Sequence, residues 1–527
     1  MDTTARKNRE ALLIGIGLSL VLAWAAGSFG LTWDEASYFQ YADSIRDWFL
    51  SHRSFEPSVL STYWDYSSYH NPHPPFMKIV NAFFSALFTG LIPFPASYRM
   101  ANILYVSGCA ALAWRLLRSS FSGLSATAAI CCICLQPRFF GHLMIAATDS
   151  PVAMSWLVLT LIAWRLDRTP VTAHRPILRL LLFAFLAMAA ATKITGFIAV
   201  VPLAMYFLAR KNLREFRWLT AAALFALFFV VLTAPYHWQH PLNAAGHYLV
   251  YPFLRSKEAI STFYLGRIYK FYLPWHYFSV MTAVTYPVIL LILLSGLIHV
   301  RRVDRHGLLT AILFPLGFWL IIVHLPATPK HDGIRQFLSI YPFLGLLSWL
   351  GFMGWMARLR EKQEGRCRAL LQKTALPAIL IVLSVVLVRC HPFELSYYNS
   401  LIGGIRGAEK KGFETTYYLE AIHPGFVRRL DAFLDNGRKL YMLPPWSKLL
   451  VLYRRHGLLT GNFSILTQPK PVQPDSLLIV RRRGYLNDAF YLAVNPVLEV
   501  TFDGVSLVKF SLSNQGPEAS KGDEDLP

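Results

Sequence analysis

Asp34 and Glu35 stand side by side in TWDEASYF, just after an apolar run ends near Leu31. A carboxylate in such a place can take a proton as a general base, or it can cap a helix; spacing alone leaves both roles open for Asp34. Asp149 sits in AATDSP, at the edge of another apolar run, where it can line the same polar mouth. Lys193 lies in ATKITG, between two runs. A cation there can hold a lipid phosphate or simply snorkel to the interface. Arg335 follows His331 and Asp332 in HLPATPKHDGIRQ. Its fork suits a two-sided grip on phosphate, and equally an ordinary interfacial position. His70 and His73, in HNPHPPF, can touch a sugar or phosphate; as a metal pair their spacing is a weak signal. No other His, Cys, Asp or Glu cluster has ligand spacing, so neither a metal nor a cofactor is expected.

The placement of acids separates classes of function. None of the apolar runs contains Asp or Glu, whereas residues 31–74 hold Asp34, Glu35, Asp43, Asp47, Glu56 and Asp65. Ion-coupled transporters keep carboxylates near the membrane midplane, at broken helices. The pattern favours chemistry at an interface, with a transporter or flippase of lipid-linked glycans as the alternative. There is no P-loop, no strand-turn-helix GxGxxG unit and no GxSxG elbow.

These residues need a scaffold, and the composition says which. The chain has 527 residues, 54% apolar and 15% charged, with a net charge of +21. A soluble enzyme carries about 25% charge, and a helix needs roughly 20 apolar residues to cross a bilayer. Apolar runs cover 11–31, 75–92, 99–117, 124–147, 150–164, 176–191, 194–209, 218–234, 284–300, 307–324, 336–356 and 374–389. The second is either a full span or a partly inserted segment. The run 124–147, broken by Gln136-Pro137-Arg138, is one span or two short crossings. The expectation is an α-helical polytopic protein of about 11–13 transmembrane helices. The first run is read as an anchor with the N-terminus in the cytoplasm. Segments 1–10, 165–175, 210–217, 301–306 and 357–373 hold 19 Lys and Arg in 52 residues; loops 31–74 and 235–283 hold 6 in 93. That asymmetry places the two loops outside the cytoplasm. It predicts a multi-pass protein of an inner (plasma) membrane, surrounded by membrane lipids, and makes the net charge a mark of topology rather than a nucleic-acid footprint. Asp34 to Ser51 has the spacing of a surface-lying helix, with Tyr38, Tyr41, Ile45, Trp48 and Phe49 on one face.

The remainder reads differently. Residues 1–390 form the membrane domain, 391–513 a small α/β extracytoplasmic domain, and 514–527 a disordered tail. Within the second, His423 to Asn436 is spaced as an amphipathic helix. Lys439 to Leu443, Ser476 to Val480 and Val497 to Ser511 read as strands, the last turning at Asp503-Gly504. The six Cys fall in apolar runs or a basic loop and do not form a disulfide framework.

WDEASYF, HPPF, ATDSP, ATKITG, HDGIRQF, YLGRIYKFYLPWHYF, SYYNSLIGGIRGAEKKGFETTYYLEA and the ending FDGVSLVKF, in that order, resemble the membrane-embedded GT-C glycosyltransferases. The branch they resemble is that of the protein O-mannosyltransferases and aminoarabinose transferases, bacterial and phospholipid-carrier dependent. The resemblance implies transfer of a sugar from a polyprenyl-phosphate carrier to the hydroxyl of a lipid, glycan or protein acceptor, on the extracytoplasmic side. It implies that Asp34 is catalytic, with Glu35 beside it. It further implies that Lys193 and Arg335 hold the carrier phosphate and that Asp149 lines the cavity; His331 is expected with the phosphate-binding pair, and Glu35 and His73 on the cavity side. The tail does not resemble the β-trefoil of the protein mannosyltransferases, so sugar and acceptor stay open.

Overall fold

The computed structural model describes residues 3–64, 73–169, 175–255, 260–304, 306–326, 328–362, 365–435, 437–467 and 474–512. His70, Asp65 and the tail 514–527 lie outside them.

The apolar runs become helices, and side-chain contacts mark two ends of the bundle. At one end Arg115 meets Asn8, Arg210 meets Asp167, Arg179 meets Glu215 and Arg302 meets Glu361. At the other end lie Asp34, Asp149, Lys193 and Arg335. Following the helices between these markers carries the chain eleven times from one end of the bundle to the other among the described residues. Four straight helices are long and apolar enough to cross a membrane: Thr4–Ala26, Ala96–Leu117, Leu213–Leu232 and Arg335–Glu361. Two bent pairs add Gly123–Cys134 with Pro137–Met144, at 82°, and Tyr277–Thr285 with Val288–Arg302, at 112°. The run 124–147 is thus a pair of helices bent at Gln136-Pro137. Other passes are shorter or more polar. Asp149–Arg168, for example, is buried along nearly its whole length, so neighbouring helices rather than lipid surround it.

Phe76–Phe88 is not a pass. Its 13 residues reach about 20 Å, short of the ~30 Å hydrocarbon layer. The chain before it (Asp34) and after it (Arg99, bonded to Glu35) lies at the same end. This settles the open choice for residues 75–92 in favour of a segment that stays at one end.

The expected helix after the first run is present as Trp33–Asp47, closed by a π turn over Trp48–His52. Its apolar face differs from the expectation. Ile45 and Trp48 are buried against Leu60, Trp64 and Ala82, so they pack on protein rather than face headgroups. Residues 235–283 contribute a helix, Pro241–Arg255, and a hairpin of β1 (Thr262–Tyr264) and β2 (Arg267–Tyr269).

The tail carries a five-stranded mixed sheet. Its strands are β3 (Arg438–Leu443), β4 (Phe463–Leu466), β5 (Ser476–Val480), β6 (Leu498–Phe502) and β7 (Val505–Leu512), in the order β4-β3-β5-β7-β6. The β6–β7 turn has positive φ at both Asp503 and Gly504, as a type I′ turn requires. The helix predicted from His423 covers Pro424–Asp431. β4, only four residues long, had no periodic signal.

The loop that carries Asp34 is pinned by this tail. A Cβ on Gly30 would stand 1.9 Å from the Glu420 carbonyl oxygen, so the two backbones touch where only glycine fits. The Leu31 N–H donates to the Tyr453 hydroxyl at 3.0 Å and the Trp33 N–H to the Tyr418 carbonyl at 3.2 Å.

Candidate active site

Asp34 and Glu35 have opposite surroundings although they are neighbours. Thr32 is the N-cap of the Trp33–Asp47 helix, and its N–H donates to the Glu35 carboxylate at 3.0 Å. Glu35, not Asp34, therefore closes the first turn. Glu35 is fully buried, takes two 2.7 Å bonds from the Arg99 guanidinium, and accepts the Ala146 N–H at 3.0 Å. The expectation that Glu35 faces the cavity does not describe it: a buried Arg99 needs a buried carboxylate, and Glu35 is that partner. One residue earlier on the helix, Asp34 turns the other way and keeps 23% of its side chain exposed.

Asp34 meets Arg335. The Arg335 guanidinium is shared by three carboxylates: Nη2 bonds Asp34, Nε bonds Asp149 at 3.0 Å and Nη1 bonds Asp332 at 2.9 Å. Lys193 donates to the other Asp149 oxygen at 2.6 Å. Asp34, Asp149, Lys193 and Arg335, expected from four distant segments, thus form one connected group. The elements explain how. Asp149 opens the Asp149–Arg168 helix, Lys193 precedes Ile194–Phe197, and Arg335 opens a 3-10 turn ahead of Tyr341–Lys362, so all three lie where helices begin at one end.

The tail adds two more residues. The Tyr418 hydroxyl donates to Asp34 at 2.9 Å, and its ring lies 4.8 Å from the Arg335 guanidinium. Burial raises the Tyr418 hydroxyl far above its usual range, so it stays a proton donor. Arg482 bonds Asp332 at 2.9 Å and Glu414 at 3.2 Å. Sequence reasoning missed the role of both. Tyr418 lies in TTYYLEA, within the longest resembling segment. Arg482 had one available signal, three arginines following the apolar strand β5.

His73 and His331 sit at the margins. His73 is buried, and its carbonyl accepts from the Lys78 ammonium. Lys78 lies 6.0 Å from the Tyr38 ring centroid, so His73 and Tyr38 share Lys78 as a neighbour. The His331 ring bonds the Gln336 side chain at 2.7 Å and lies 3.9 Å from Asp332, so it flanks the Asp332 side of the group.

Charge arithmetic singles out Asp34. Along the chain of direct ion pairs, Lys193, Arg335 and Arg482 balance Asp149, Asp332 and Glu414. Asp34 adds a fourth carboxylate, which leaves the group with one net negative charge. It is also the most exposed of the four acids; Asp332 and Glu414 are completely buried. Lys193 commits one of its three donors to Asp149 and Arg335 commits three of its five N–H groups, so both keep donors for an incoming anion. Among the described residues, no group of three or more His, Cys, Asp or Glu is placed to hold a metal ion.

No protein-family model matches this sequence, and no curated protein matches it. Among solved structures, the fold is similar to that of ArnT from Cupriavidus metallidurans bound to undecaprenyl phosphate. The TM-score is 0.52 and the identity 14%, over 96% of this chain and 99% of that one. The Archaeoglobus fulgidus oligosaccharyltransferase, in complex with Zn and sulfate, is also similar, with a TM-score of 0.44 and 11% identity over 90% of this chain and 68% of that one. The chain is an α-helical polytopic membrane protein of GT-C-like fold with a small C-terminal sheet region.

Proposed function

We propose that the protein is a membrane glycosyltransferase that moves a sugar from a polyprenyl-phosphate carrier to an acceptor hydroxyl on the extracytoplasmic side. The convergence of Asp34, Asp149, Lys193 and Arg335 supports this most strongly, in a fold shared with a protein crystallised with undecaprenyl phosphate. Asp34 is the base: it takes the acceptor proton while the acceptor oxygen attacks the anomeric carbon. Attack opposite the leaving phosphate inverts the configuration. The carrier leaves as a phosphate anion and needs charge neutralisation rather than protonation. The uncommitted donors of Lys193 and Arg335 supply it, each charged hydrogen bond contributing about 1.5–3 kcal/mol. The isoprenoid chain stays in hydrocarbon while its head reacts at the polar end of the bundle.

The test uses the full chain in proteoliposomes. A panel of polyprenyl-phosphate-linked pentoses and hexoses is offered with a membrane lipid extract as acceptor, and release of free polyprenyl phosphate is measured. Asp34→Asn is expected to abolish release while the protein still inserts. Undiminished release by that variant removes Asp34 from the chemistry.

A further inference from the structure

Asp332 bonds Arg335, the same guanidinium that bonds Asp34. It sits with positive φ at the tip of the HDG turn and is completely buried. Each of its oxygens is taken by a different arginine: Oδ2 by Arg335 at 2.9 Å and Oδ1 by Arg482 at 2.9 Å. Arg335 comes from the helical bundle, and Arg482 comes from the tail, two residues after β5.

Arg482 is itself held rigidly. It is fully buried, and Nη1 bonds Glu414 at 3.2 Å. Glu414 is fixed by the N–H groups of Arg483 and Gly484, each at 3.0 Å. The Arg482 guanidinium also lies 5.4 Å from the ring of Trp33, the residue next to Asp34. A rigid cation in the tail is therefore joined to Asp34 by two routes, through Trp33 and through Asp332 and Arg335.

We infer that Arg482 is a positioning residue for the transfer reaction: through Asp332 it fixes the guanidinium of Arg335 against Asp34. The inference rests on the reading of Asp34 as base. Arg335 has three carboxylates to orient it, and Asp332 is the one fully removed from solvent. Burial already pushes the Asp332 carboxyl above its usual range against the pull of its two arginines. Without Arg482 it keeps one cation and holds a proton more readily, and a neutral Asp332 releases one side of the Arg335 fork. Arg335 then settles on Asp149 and Asp34 in a new orientation. A misplacement near 1 Å at a reacting group costs about 100-fold in rate. The tail thereby helps to set the orientation of the group that faces Asp34.

The test is a cycle of full-length variants in proteoliposomes, using the donor that the unsubstituted protein turns over, with rates normalised to folded protein by size exclusion. Arg482→Gln and Asp332→Asn are each expected to lower kcat about 100-fold, with the KM for the donor within about threefold, because Lys193 and Asp149 are left intact. The double variant is expected to lose no more than either single one, since the two residues act as a unit. Arg482→Lys keeps a charge near Asp332 and is expected to exceed Arg482→Gln in kcat. A kcat for Arg482→Gln close to the unsubstituted value, losses that multiply in the double variant, or Arg482→Lys no better than Arg482→Gln would each overturn the role. Asp34→Asn is run alongside. An active Asp34→Asn sinks the base reading, whereas an inactive one beside an unimpaired Arg482→Gln sinks only the positioning role.

Discussion

Asp34 and Glu35 differ by one methylene, and one step along a helix gives them separate duties. The 100° rotation between them sends Glu35 into the core against Arg99 and leaves Asp34 at the polar end of the bundle. Breaking a buried ion pair from one side costs about 3–5 kcal/mol, because the remaining charge stays buried without its partner. Glu35→Gln is therefore expected to lower the thermal midpoint in detergent by about 3–5 °C, while Asp34→Asn shifts it little. Equal midpoints for the two variants would contradict the division of labour. At this scale, the sequence located the acid pair but could not assign the duties. Adjacent carboxylates look alike until the partner is known, and Arg99 lies 64 positions away in a run that reads as ordinary membrane helix. Lys193 and Arg335 were legible because a cation at the mouth of an apolar run needs a reason to be there. Tyr418 and Arg482 were not, since a tyrosine or arginine in a polar tail is unremarkable until the tail is seen against the bundle.

Elements bring those residues together by backbone contact as much as by side chains. The Trp33–Asp47 helix starts where the tail crosses the chain at Gly30, and its first residues hang from Tyr453 and Tyr418. Gly30→Ala puts a methyl group into the Glu420 carbonyl, and neither backbone can yield without moving the Asp34 helix. The expected result is a protein whose tail is cut by protease at least tenfold faster, together with loss of transfer activity; unchanged proteolysis would show that the crossing tolerates a side chain. Apolar runs announced the helices plainly, because a bilayer demands long unbroken hydrophobic stretches. Two features escaped that signal. Phe76–Phe88 is apolar enough to pass for a span, and only its short length and the position of its flanks reveal that it stays at one end. The aromatic face of the Trp33–Asp47 helix has the spacing expected of a headgroup belt, but Pro57–Trp64 covers part of it, a long-range contact that no local pattern encodes.

The N-terminal helix start and the ion group lie at opposite ends of the bundle, and the ends differ in charge. Arg115, Arg118, Arg165, Arg168, Arg175 and Arg179 gather at the end away from Asp34. With an odd number of passes, Arg115 and Arg118 join this basic end, which two extra crossings would have prevented. By the positive-inside bias we propose that the basic end is cytoplasmic and that Asp34 opens to the outer leaflet. Ser51 is exposed beyond the Asp34 helix, and Lys211 is exposed at the basic end. In intact cells, a membrane-impermeant maleimide is expected to label Ser51→Cys at once, and to label Lys211→Cys only after permeabilisation, each read against the unsubstituted protein with its six native cysteines. The reverse pattern would turn the site toward the cytosol. A polyprenyl carrier in the outer leaflet could not then reach Lys193 and Arg335, and the chemistry proposed for Asp34 would have no donor on its side of the membrane.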